Sequence, residues 1–203
     1  MKIICIGRNY AEHAKELNSP LPDKPVFFLK PDSSILINNK PFFYPPFTKN
    51  LHYETEVVAR ICKVGKSIPE KFALSYIDEI GLGIDFTARD LQEECKNKGL
   101  PWEICKGFDN SAAISKFIPV EKFSDIQNIN FALDLNGVRV QQSNTSDMIF
   151  SFAKIIAYIS QFMTIKTGDM IYSGTPKGVG PLKIGDRLQG YIEGDKMLDF
   201  YIR

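Results

Sequence analysis

The clearest structural signal in the sequence lies in Leu51-His52-Tyr53-Glu54-Thr55-Glu56-Val57-Val58-Ala59-Arg60-Ile61. Its alternation and its Val, Thr, Ile and Tyr content predict a β-strand, whose successive side chains point to opposite faces. Glu54 and Glu56 therefore share one face, with their Cα atoms roughly 7 Å apart, and the opposite face is apolar. Two interpretations follow. The carboxylates form the solvated face of a half-buried strand, or they share a cation that offsets their repulsion.

The composition of the chain is that of an ordinary globular protein. With 203 residues, of which 44% are hydrophobic and 24% charged, the chain is long enough for one sizeable core, and we expect one domain spanning residues 1–203. Its 25 basic and 24 acidic side chains leave a formal charge of +1, and no Lys/Arg-rich run could follow a phosphate backbone. Nucleic acid is therefore not an expected partner.

The expected location and redox state follow from the apolar segments and the cysteines. The apolar part of the N-terminus is too short for a signal peptide, and no later run is long enough to span a bilayer. We therefore expect a cytoplasmic protein with no membrane partner. Cys5, Cys62, Cys95 and Cys105 form no C-x-x-C pair, so we expect reduced, mostly buried thiols rather than a zinc site.

A second informative stretch runs from residue 80 to residue 92. It begins as a predicted strand in which Gly81, Gly83 and Asp85 share one face. The glycines would let another group approach the backbone closely there, so Asp85 faces a cleared space. A helix follows over about 88–98, and Thr87 with Asp90 resembles a capping box at its start.

Two pairs of polar residues stand three positions apart on predicted helices, which places each pair on one helical face. They are His13 with Glu16 and Arg89 with Gln92. An i, i+3 His/Glu pair on a short polar helix is usually a surface ion pair of little consequence. Alternatively, Glu16 fixes the tautomer of a His13 imidazole that serves as a general base.

Hairpins and turns complete the predicted secondary structure. Asn38-Asn39-Lys40 and Asn136-Gly137 each lie between two strand-like runs, which predicts hairpins over residues 35–44 and 130–142. An apolar helix is predicted over 147–163. Gly-Asp turns recur near the C-terminus, and short strands joined by such turns indicate a rolled sheet.

Six motifs, distributed along nearly the whole chain, resemble those of the fumarylacetoacetate hydrolase superfamily. They are Cys5-Ile6-Gly7-Arg8-Asn9-Tyr10-Ala11-Glu12-His13, Phe28-Leu29-Lys30-Pro31, His52-Tyr53-Glu54-Thr55-Glu56, Asp85-Phe86-Thr87-Ala88-Arg89-Asp90-Leu91-Gln92, Lys106-Gly107-Phe108-Asp109 and Gly174-Thr175-Pro176. Their order along the chain is also that of the family. The sequence is most similar to the small single-domain branch of acylpyruvate hydrolases and oxaloacetate decarboxylases.

The resemblance implies an α+β fold, described as a mixed β-sandwich roll, and a homodimer. It also implies a divalent cation held by Glu54, Glu56 and Asp85. Carboxylate oxygens that leave coordination positions open suit Mg²⁺ or Mn²⁺ rather than zinc. One such ion per subunit is therefore the expected cofactor.

The resemblance further implies roles for particular side chains. It places five of them around a small 2-oxo acid substrate: Lys30, Arg89, Gln92, Lys106 and Thr175. Lys106 is expected to support the negative charge of an enolate. His13, oriented by Glu16, is expected to deprotonate the water that attacks the distal carbonyl. Residues 9–23 around this pair are expected to form a mobile lid.

The predicted function is metal-dependent hydrolysis of a C–C bond in acylpyruvate-type β-diketo acids. Three enzyme activities that use the same enolate remain open as alternatives. They are oxaloacetate decarboxylation, keto–enol tautomerisation and isomerisation of 2-hydroxyhepta-2,4-diene-1,7-dioate. A non-catalytic binding protein on the same fold is not favoured, because every expected site position is occupied by a suitable residue.

Overall fold

The computed structural model describes residues 1–16 and 20–203. The strands in these residues are β1 (Ile3–Gly7), β2 (Val26–Lys30), β3 (Ile35–Leu36), β4 (Leu51–Tyr53), β5 (Thr55–Ile61), β6 (Ile77–Asp85), β7 (Thr87–Ala88), β8 (Ala112–Ile114), β9 (Ile118–Pro119), β10 (Asn130–Leu135), β11 (Val138–Asn144), β12 (Met170–Tyr172), β13 (Gly180–Pro181), β14 (Arg187–Ile192) and β15 (Asp195–Tyr201). The α-helices are α1 (Ala11–Glu16), α2 (Glu70–Ala73), α3 (Arg89–Lys98), α4 (Glu103–Lys106) and α5 (Phe152–Phe162), and 3₁₀ turns occupy Asp32–Ser34, Leu74–Tyr76, Val120–Lys122 and Thr145–Asp147. None of the described helices is long and apolar enough to cross a membrane.

The strands form one large mixed sheet and two smaller antiparallel ones. The large sheet has the order β2-β1-β12-β5-β6-β8-β3, with β9 also paired to β6. It is mixed because β1 pairs in parallel with β12 and β3 with β8, whereas the other pairs are antiparallel. The second sheet, β11-β10-β14-β15, shares the main core with it, and the third has the order β13-β4-β7. The predicted α+β fold, a mixed β-sandwich roll, is confirmed.

The stretch 51–61 forms two strands, β4 and β5, which are separated at Glu54. Its apolar face lies in the main core, where Leu51, Val57 and Ile61 are at most 1% exposed. Burying a side chain of this size stabilises the fold by about 1.5–3 kcal/mol. Because the apolar side chains are held in the core, the side chains at the alternate positions point to the other side of the sheet. The predicted alternation of the two faces is confirmed.

The large sheet and the small third sheet meet at Glu54 and Asp85. Glu54 lies between β4 and β5. β6 ends at Asp85, and Phe86 separates it from β7. Thr55 pairs with Ile84, and the Asp85 N–H donates to the Glu54 carbonyl at 2.8 Å. Two carboxylates that are distant in sequence therefore become neighbours on adjacent strands.

The glycines of β6 do allow other groups to approach the backbone closely, and these groups are core side chains. A Cβ at Gly83 would lie 2.3 Å from the Tyr172 ring, and a Cβ at Gly81 would lie 3.1 Å from the Phe117 ring. Tyr172 is fully buried, and its hydroxyl donates to the Ala113 carbonyl at 2.9 Å. The space that these glycines clear is therefore filled by aromatic rings of the fold itself.

One of the two predicted hairpins is wrong and the other is confirmed. The Lys40 N–H does donate to the Ile37 carbonyl at 3.3 Å, but the residues on either side of this turn do not pair as strands, because β3 pairs in parallel with β8 and Phe42 forms a bridge with Ile202. The second hairpin consists of β10 and β11. Its turn residues Asn136 and Gly137 have φ values of 53° and 81°, the left-handed conformation that a two-residue hairpin turn requires.

The capping box predicted for α3 is also wrong. The helix starts at Arg89 without a side-chain cap. Asp90 instead accepts hydrogen bonds from the Thr48 hydroxyl and from the Lys49 N–H at 2.9 Å, while the Thr87 hydroxyl accepts from Lys106. Tertiary partners therefore take the groups that would have formed the cap.

The apolar helix predicted over 147–163 is shorter in the structure. Asn144 caps a 3₁₀ turn first, by accepting a hydrogen bond from the Ser146 N–H at 2.8 Å. α5 begins only at Phe152, where the Ser151 side chain accepts from the Lys154 N–H at 3.3 Å. Two successive caps therefore delay the start of the helix.

The four cysteines carry free thiols, as predicted. Cys5, Cys95 and Cys105 are buried, and Cys62 is half-buried. Burial raises the pKa of the Cys105 thiol to about 12, with a further contribution from Cys95. The Cys105 thiol is therefore expected to stay protonated at neutral pH.

Candidate active site

Three buried carboxylates meet where the large sheet joins the third sheet. Glu54, Glu56 and Asp85 each offer an oxygen, and these oxygens lie within 4.8 Å of one another. The residues are at most 6% exposed, and all three line a cavity of about 250 Å³. The interpretation of Glu54 and Glu56 as a solvated face is therefore wrong.

Glu56 is held by the loop that follows β12. The Gly174 N–H donates to Glu56 Oε2 at 2.7 Å. Gly174 has a φ of 102°, and a Cβ there would lie 2.8 Å from Asn9 Cβ, so glycine is required by both conformation and space. Burial, followed by repulsion from Asp85 and Glu54, raises the pKa of Glu56 well above its usual range. A bound cation would offset that repulsion.

Lys106 connects the other two carboxylates. Its ammonium donates to Glu54 Oε2 at 2.8 Å, to Asp85 Oδ2 at 2.7 Å and to Thr87 Oγ1 at 2.5 Å. Burial alone would lower the pKa of Lys106, but Asp85 and Glu54 raise it above its usual range. Because Lys106 also lines the cavity, it presents a fixed positive charge beside the carboxylates.

Arg89 and Gln92 lie on the first turns of α3 and face the same cavity. Arg89 donates to Glu54 Oε1 at 2.5 Å and to Gln92 Oε1 at 2.6 Å. Burial would raise the pKa of Glu54, but Lys106 and Arg89 lower it below its usual range. The shared helical face that the sequence predicts for Arg89 and Gln92 is confirmed by their direct hydrogen bond.

Lys30 lies behind the carboxylates rather than in the cavity. Its ammonium is 2.7 Å from Asp85 Oδ1 and donates to the carbonyls of Ser111 at 3.0 Å, Phe86 at 3.3 Å and Lys106. It is 2% exposed and is not among the described residues that line the cavity. Direct contact with a substrate, which the resemblance implies for Lys30, does not fit this position.

Thr175 lines the cavity next to a buried glutamine that was not predicted from the sequence. Gln141 donates from Nε2 to Thr175 Oγ1 and to the Pro176 carbonyl, both at 2.9 Å, and its Oε1 accepts from the Thr55 N–H at 3.0 Å. Gln141 therefore joins β11 and the loop after β12 to β5. On a strand of a hairpin, a glutamine gives no sequence signal for this role.

On α1, the buried His13 pairs with the exposed Glu16. His13 Nδ1 lies 3.1 Å from Glu16 Oε2, and Glu16 Oε1 accepts from the Gly178 N–H at 3.0 Å. The His13 side chain is only 6% exposed and lines the cavity, so the alternative of a solvated surface pair is wrong. If Nδ1 carries the proton shared with Glu16, Nε2 is free to accept one.

The predicted lid over residues 9–23 stays a prediction. Residues 17–19 of this segment lie outside the described residues. Within the described part, α1 consists of six residues, and the hydrogen bond between Glu16 and Gly178 connects it to the loop after β12.

The remaining wall of the cavity combines apolar and cationic side chains. The sequence assigns no role to these residues, although Arg8 stands in the first motif and Trp102 is the single tryptophan. They are Ile6, Gly7, Arg8, Val26, Phe28, Lys96 and Trp102. The cavity therefore has an acidic floor, an apolar side and two further positive charges.

The family model described as fumarylacetoacetate (FAA) hydrolase C-terminal matches residues 2–198. The chain belongs to the fumarylacetoacetate hydrolase family. The mitochondrial oxaloacetate tautomerase of Mus musculus is 43% identical over 201 residues, covering 99% of this chain and 91% of the relative. The mitochondrial oxaloacetate decarboxylase of Dictyostelium discoideum is 42% identical over 206 residues, covering 100% and 94%.

A solved structure of the family matches the fold over the whole chain. Fumarylpyruvate hydrolase from Pseudomonas aeruginosa, in complex with Mn²⁺ and pyruvate, superposes with a TM-score of 0.95 and 36% sequence identity, covering 100% of this chain and 89% of that chain. The relatives within the family are therefore enzymes, and their names refer to small oxo acids. Because those names describe different reactions, membership of the fumarylacetoacetate hydrolase family does not by itself select one.

Proposed function

We propose that this chain is a divalent-metal-dependent enzyme that catalyses keto–enol tautomerisation of oxaloacetate. The observation that carries the proposal is that one cavity of about 250 Å³ brings three buried carboxylates together with Lys106 and His13. Relatives named oxaloacetate tautomerase at 43% identity support this reaction. The acylpyruvate hydrolysis predicted from the sequence becomes the second candidate.

Glu54, Glu56 and Asp85 are the residues that would hold the cation. Their carboxylate oxygens are hard donors that suit Mg²⁺ or Mn²⁺. Glu56 makes no ion pair among the described residues, although it lies buried beside two other carboxylates, so a cation fits this donor set. When bound, the cation would supply positive charge that offsets the negative charge developing on the keto oxygen.

The residues of the chain then carry out the proton transfer. His13 Nε2 accepts the proton that leaves C3 of oxaloacetate and donates it to the enolate oxygen, so the reaction needs no net proton. Glu16 holds the imidazole in the required tautomer through Nδ1. The fixed ammonium of Lys106 stabilises the enolate charge, and Arg89, Gln92 and Thr175 orient the substrate from the cavity wall.

Lys30 has a positioning role in this proposal. Its ammonium holds Asp85 Oδ1 and the backbone carbonyl of Lys106 in one arrangement. A buried ammonium that is surrounded by acceptors in this way fixes the direction of its partners. Lys30 therefore sets the relative position of a cation ligand and of the segment that carries Lys106.

Hydrolysis of acylpyruvates is the second candidate, and the His13–Glu16 pair is the observation that favours it. The same Nε2 that accepts a C3 proton would accept a proton from a water molecule that attacks the distal carbonyl. A fumarylpyruvate hydrolase at 36% identity supports this alternative. Isomerisation of 2-hydroxyhepta-2,4-diene-1,7-dioate is a further alternative. A structure from Mycobacterium marinum that is named as this isomerase is 32% identical to the chain.

A substrate panel tests the proposal. The purified chain is assayed with oxaloacetate for enol–keto conversion and for decarboxylation, and with acetylpyruvate for hydrolysis, in Mg²⁺, in Mn²⁺ and in EDTA. We expect metal-dependent tautomerisation, which His13→Ala lowers by roughly 10²- to 10⁴-fold. If acetylpyruvate is hydrolysed while oxaloacetate tautomerises at its uncatalysed rate, the second candidate replaces the first.

The cytoplasmic location, the homodimer and the single domain over 1–203 stay predictions.

A further inference from the structure

Two positive charges line the cavity without a part in the proton transfer just described. They are Arg8, directly after β1, and Lys96 on α3. Arg89 and Lys106 are paired with carboxylates at 2.5–2.8 Å. Among the described residues, neither Arg8 nor Lys96 makes an ion pair with a carboxylate.

α3 carries the polar side of the cavity from its floor to its mouth. Arg89, Gln92 and Lys96 occupy positions i, i+3 and i+7 of this helix, so they share one face. At 1.5 Å per residue, the helix rises roughly 10 Å between Arg89 and Lys96. Arg89 is buried beside Glu54 and Lys96 is exposed, so the helix runs outward from the carboxylates to Lys96.

Arg8 and Lys96 line the same cavity. Although much of the Lys96 side chain is exposed, partial burial of its ammonium, followed by repulsion from Arg89, Lys106 and Arg8, lowers the pKa of Lys96. Positive charges gathered at one cavity repel each other unless an anion lies between them. The mouth of the cavity is therefore suited to a negative group.

The wall between the two charged ends is apolar. Phe28 and Trp102 line it with their ring centroids 5.7 Å apart. Val26, on β2 like Phe28, also lines the cavity. A cavity of about 250 Å³ is slightly below the usual range for drug-sized ligands. It therefore fits a short carbon chain with a charged group at each end.

We infer that Arg8 and Lys96 form a subsite for the second carboxylate of a dicarboxylic 2-oxo acid. The inference rests on the proposed function, because it assumes that the 2-oxo acid end of the ligand lies at the carboxylate floor. It makes Arg8 and Lys96 determinants of specificity. They favour dicarboxylates such as oxaloacetate over monocarboxylates of the same length.

Matched ligands and matched variants test the subsite. In 2-oxobutanoate a methyl group replaces the distal carboxylate of oxaloacetate, and oxalate has only the inner part of the ligand. Dissociation constants are measured with the Mg²⁺-loaded protein through the fluorescence of Trp102, the only tryptophan, which lines the cavity. The variants are Lys96→Gln and Arg8→Asn. Asparagine is chosen because Arg8 has a φ of 58°, which Asn tolerates better than most residues.

Lys98→Gln is the control variant. It removes the same charge from the same helix, but Lys98 pairs with Glu94 at 2.7 Å and its side chain is 62% exposed. We expect wild type to bind oxaloacetate more tightly than 2-oxobutanoate by a factor on the order of tenfold to a hundredfold. Lys96→Gln and Arg8→Asn should each lower this preference for oxaloacetate by about tenfold without changing the affinity for oxalate. Lys98→Gln should leave the preference for oxaloacetate unchanged.

Other outcomes would overturn the inference. If the variants weaken oxalate, 2-oxobutanoate and oxaloacetate equally, Arg8 and Lys96 only attract anions over a distance. If Lys96→Gln alone leaves the preference unchanged, no carboxylate is bound there, whether or not Arg8→Asn folds. Because the fluorescence titration reports binding and not the rate of reaction, a wild type that prefers oxaloacetate but does not tautomerise it contradicts the proposed function and leaves the subsite standing.

Discussion

At the scale of single residues, identical carboxyl groups acquire different properties from their neighbours. Glu54 accepts hydrogen bonds from Lys106 and Arg89, and these cations hold its pKa below the usual range despite burial. Glu56, on the same strand face, accepts from the backbone N–H of Gly174, and burial with two carboxylate neighbours raises its pKa. A divalent cation would therefore change the energy of Glu56 more than that of Glu54.

The first prediction concerns Glu56→Gln, which keeps an acceptor for Gly174 but removes one buried charge. The variant should fold, because it relieves repulsion when no cation is bound. Mg²⁺ at a hundred times its Kd should stabilise wild type by about 2.7 kcal/mol, or roughly 5–10 °C in Tm for a chain of this size. Glu56→Gln should lose most of this rise in a thermal shift assay. Glu79→Gln, on β6 beside Arg60, is the control, and an equal rise in both variants would contradict the metal site.

The second prediction concerns Lys30→Met. Removing this ammonium takes the ion-pair partner from Asp85 Oδ1 and one donor from each of several buried carbonyls, which should cost roughly 3–5 kcal/mol of unfolding free energy. Mg²⁺ affinity should fall as well, because Asp85 is no longer held in place. Urea unfolding and Mg²⁺ titration measure the two effects. A variant of unchanged stability and metal affinity, with only a higher KM, would restore the substrate contact that the resemblance implies.

At the scale of secondary structure, the sequence predicts what depends on neighbouring residues and fails where distant segments compete. The alternation over residues 51–61 and the Asn136-Gly137 hairpin are local patterns, and both are confirmed. The pairing that places Asp85 beside Glu54 joins two separate strands, so periodicity could not reveal it. In the candidate site, the motifs identified the carboxylates and Lys106, whereas the Lys96 and Gln141 contacts depend on how α3 and β11 pack.

The third prediction concerns the central strand β6. A Cβ at Gly83 would lie 2.3 Å from the Tyr172 ring, which cannot move easily because its hydroxyl is bonded to Ala113. Gly83→Ala should therefore lower the unfolding free energy by about 1–3 kcal/mol. Gly81→Ala, whose Cβ would lie 3.1 Å from Phe117, should cost less. Urea unfolding compares the two, and equal losses would show that Tyr172 is not the obstacle.

At the scale of the whole molecule, the site joins segments from both ends of the chain. Asn9 donates to the carbonyls of Phe150 and Ser173 and accepts from the Phe150 N–H. Glu16 accepts from the Gly178 N–H. The N-terminal segment that carries His13 is therefore attached to the loop in which Gly174 holds Glu56.

The last prediction follows from this connection. α1 has six residues, and an isolated helix so short is not stable in water, so its order depends on contacts such as that between Glu16 and Gly178. Oxalate with Mg²⁺ should slow amide exchange in Ala11–Glu16 and at Gly178 together, by up to about a hundredfold at a hundred times the Kd. Hydrogen exchange with mass spectrometry measures this, with the exposed turn at Asn136-Gly137 as the internal reference. In Glu16→Ala the protection at Gly178 should be lost while the carboxylate floor still binds oxalate. Equal exchange with and without saturating oxalate would mean that α1 is a fixed wall of the cavity rather than part of a lid.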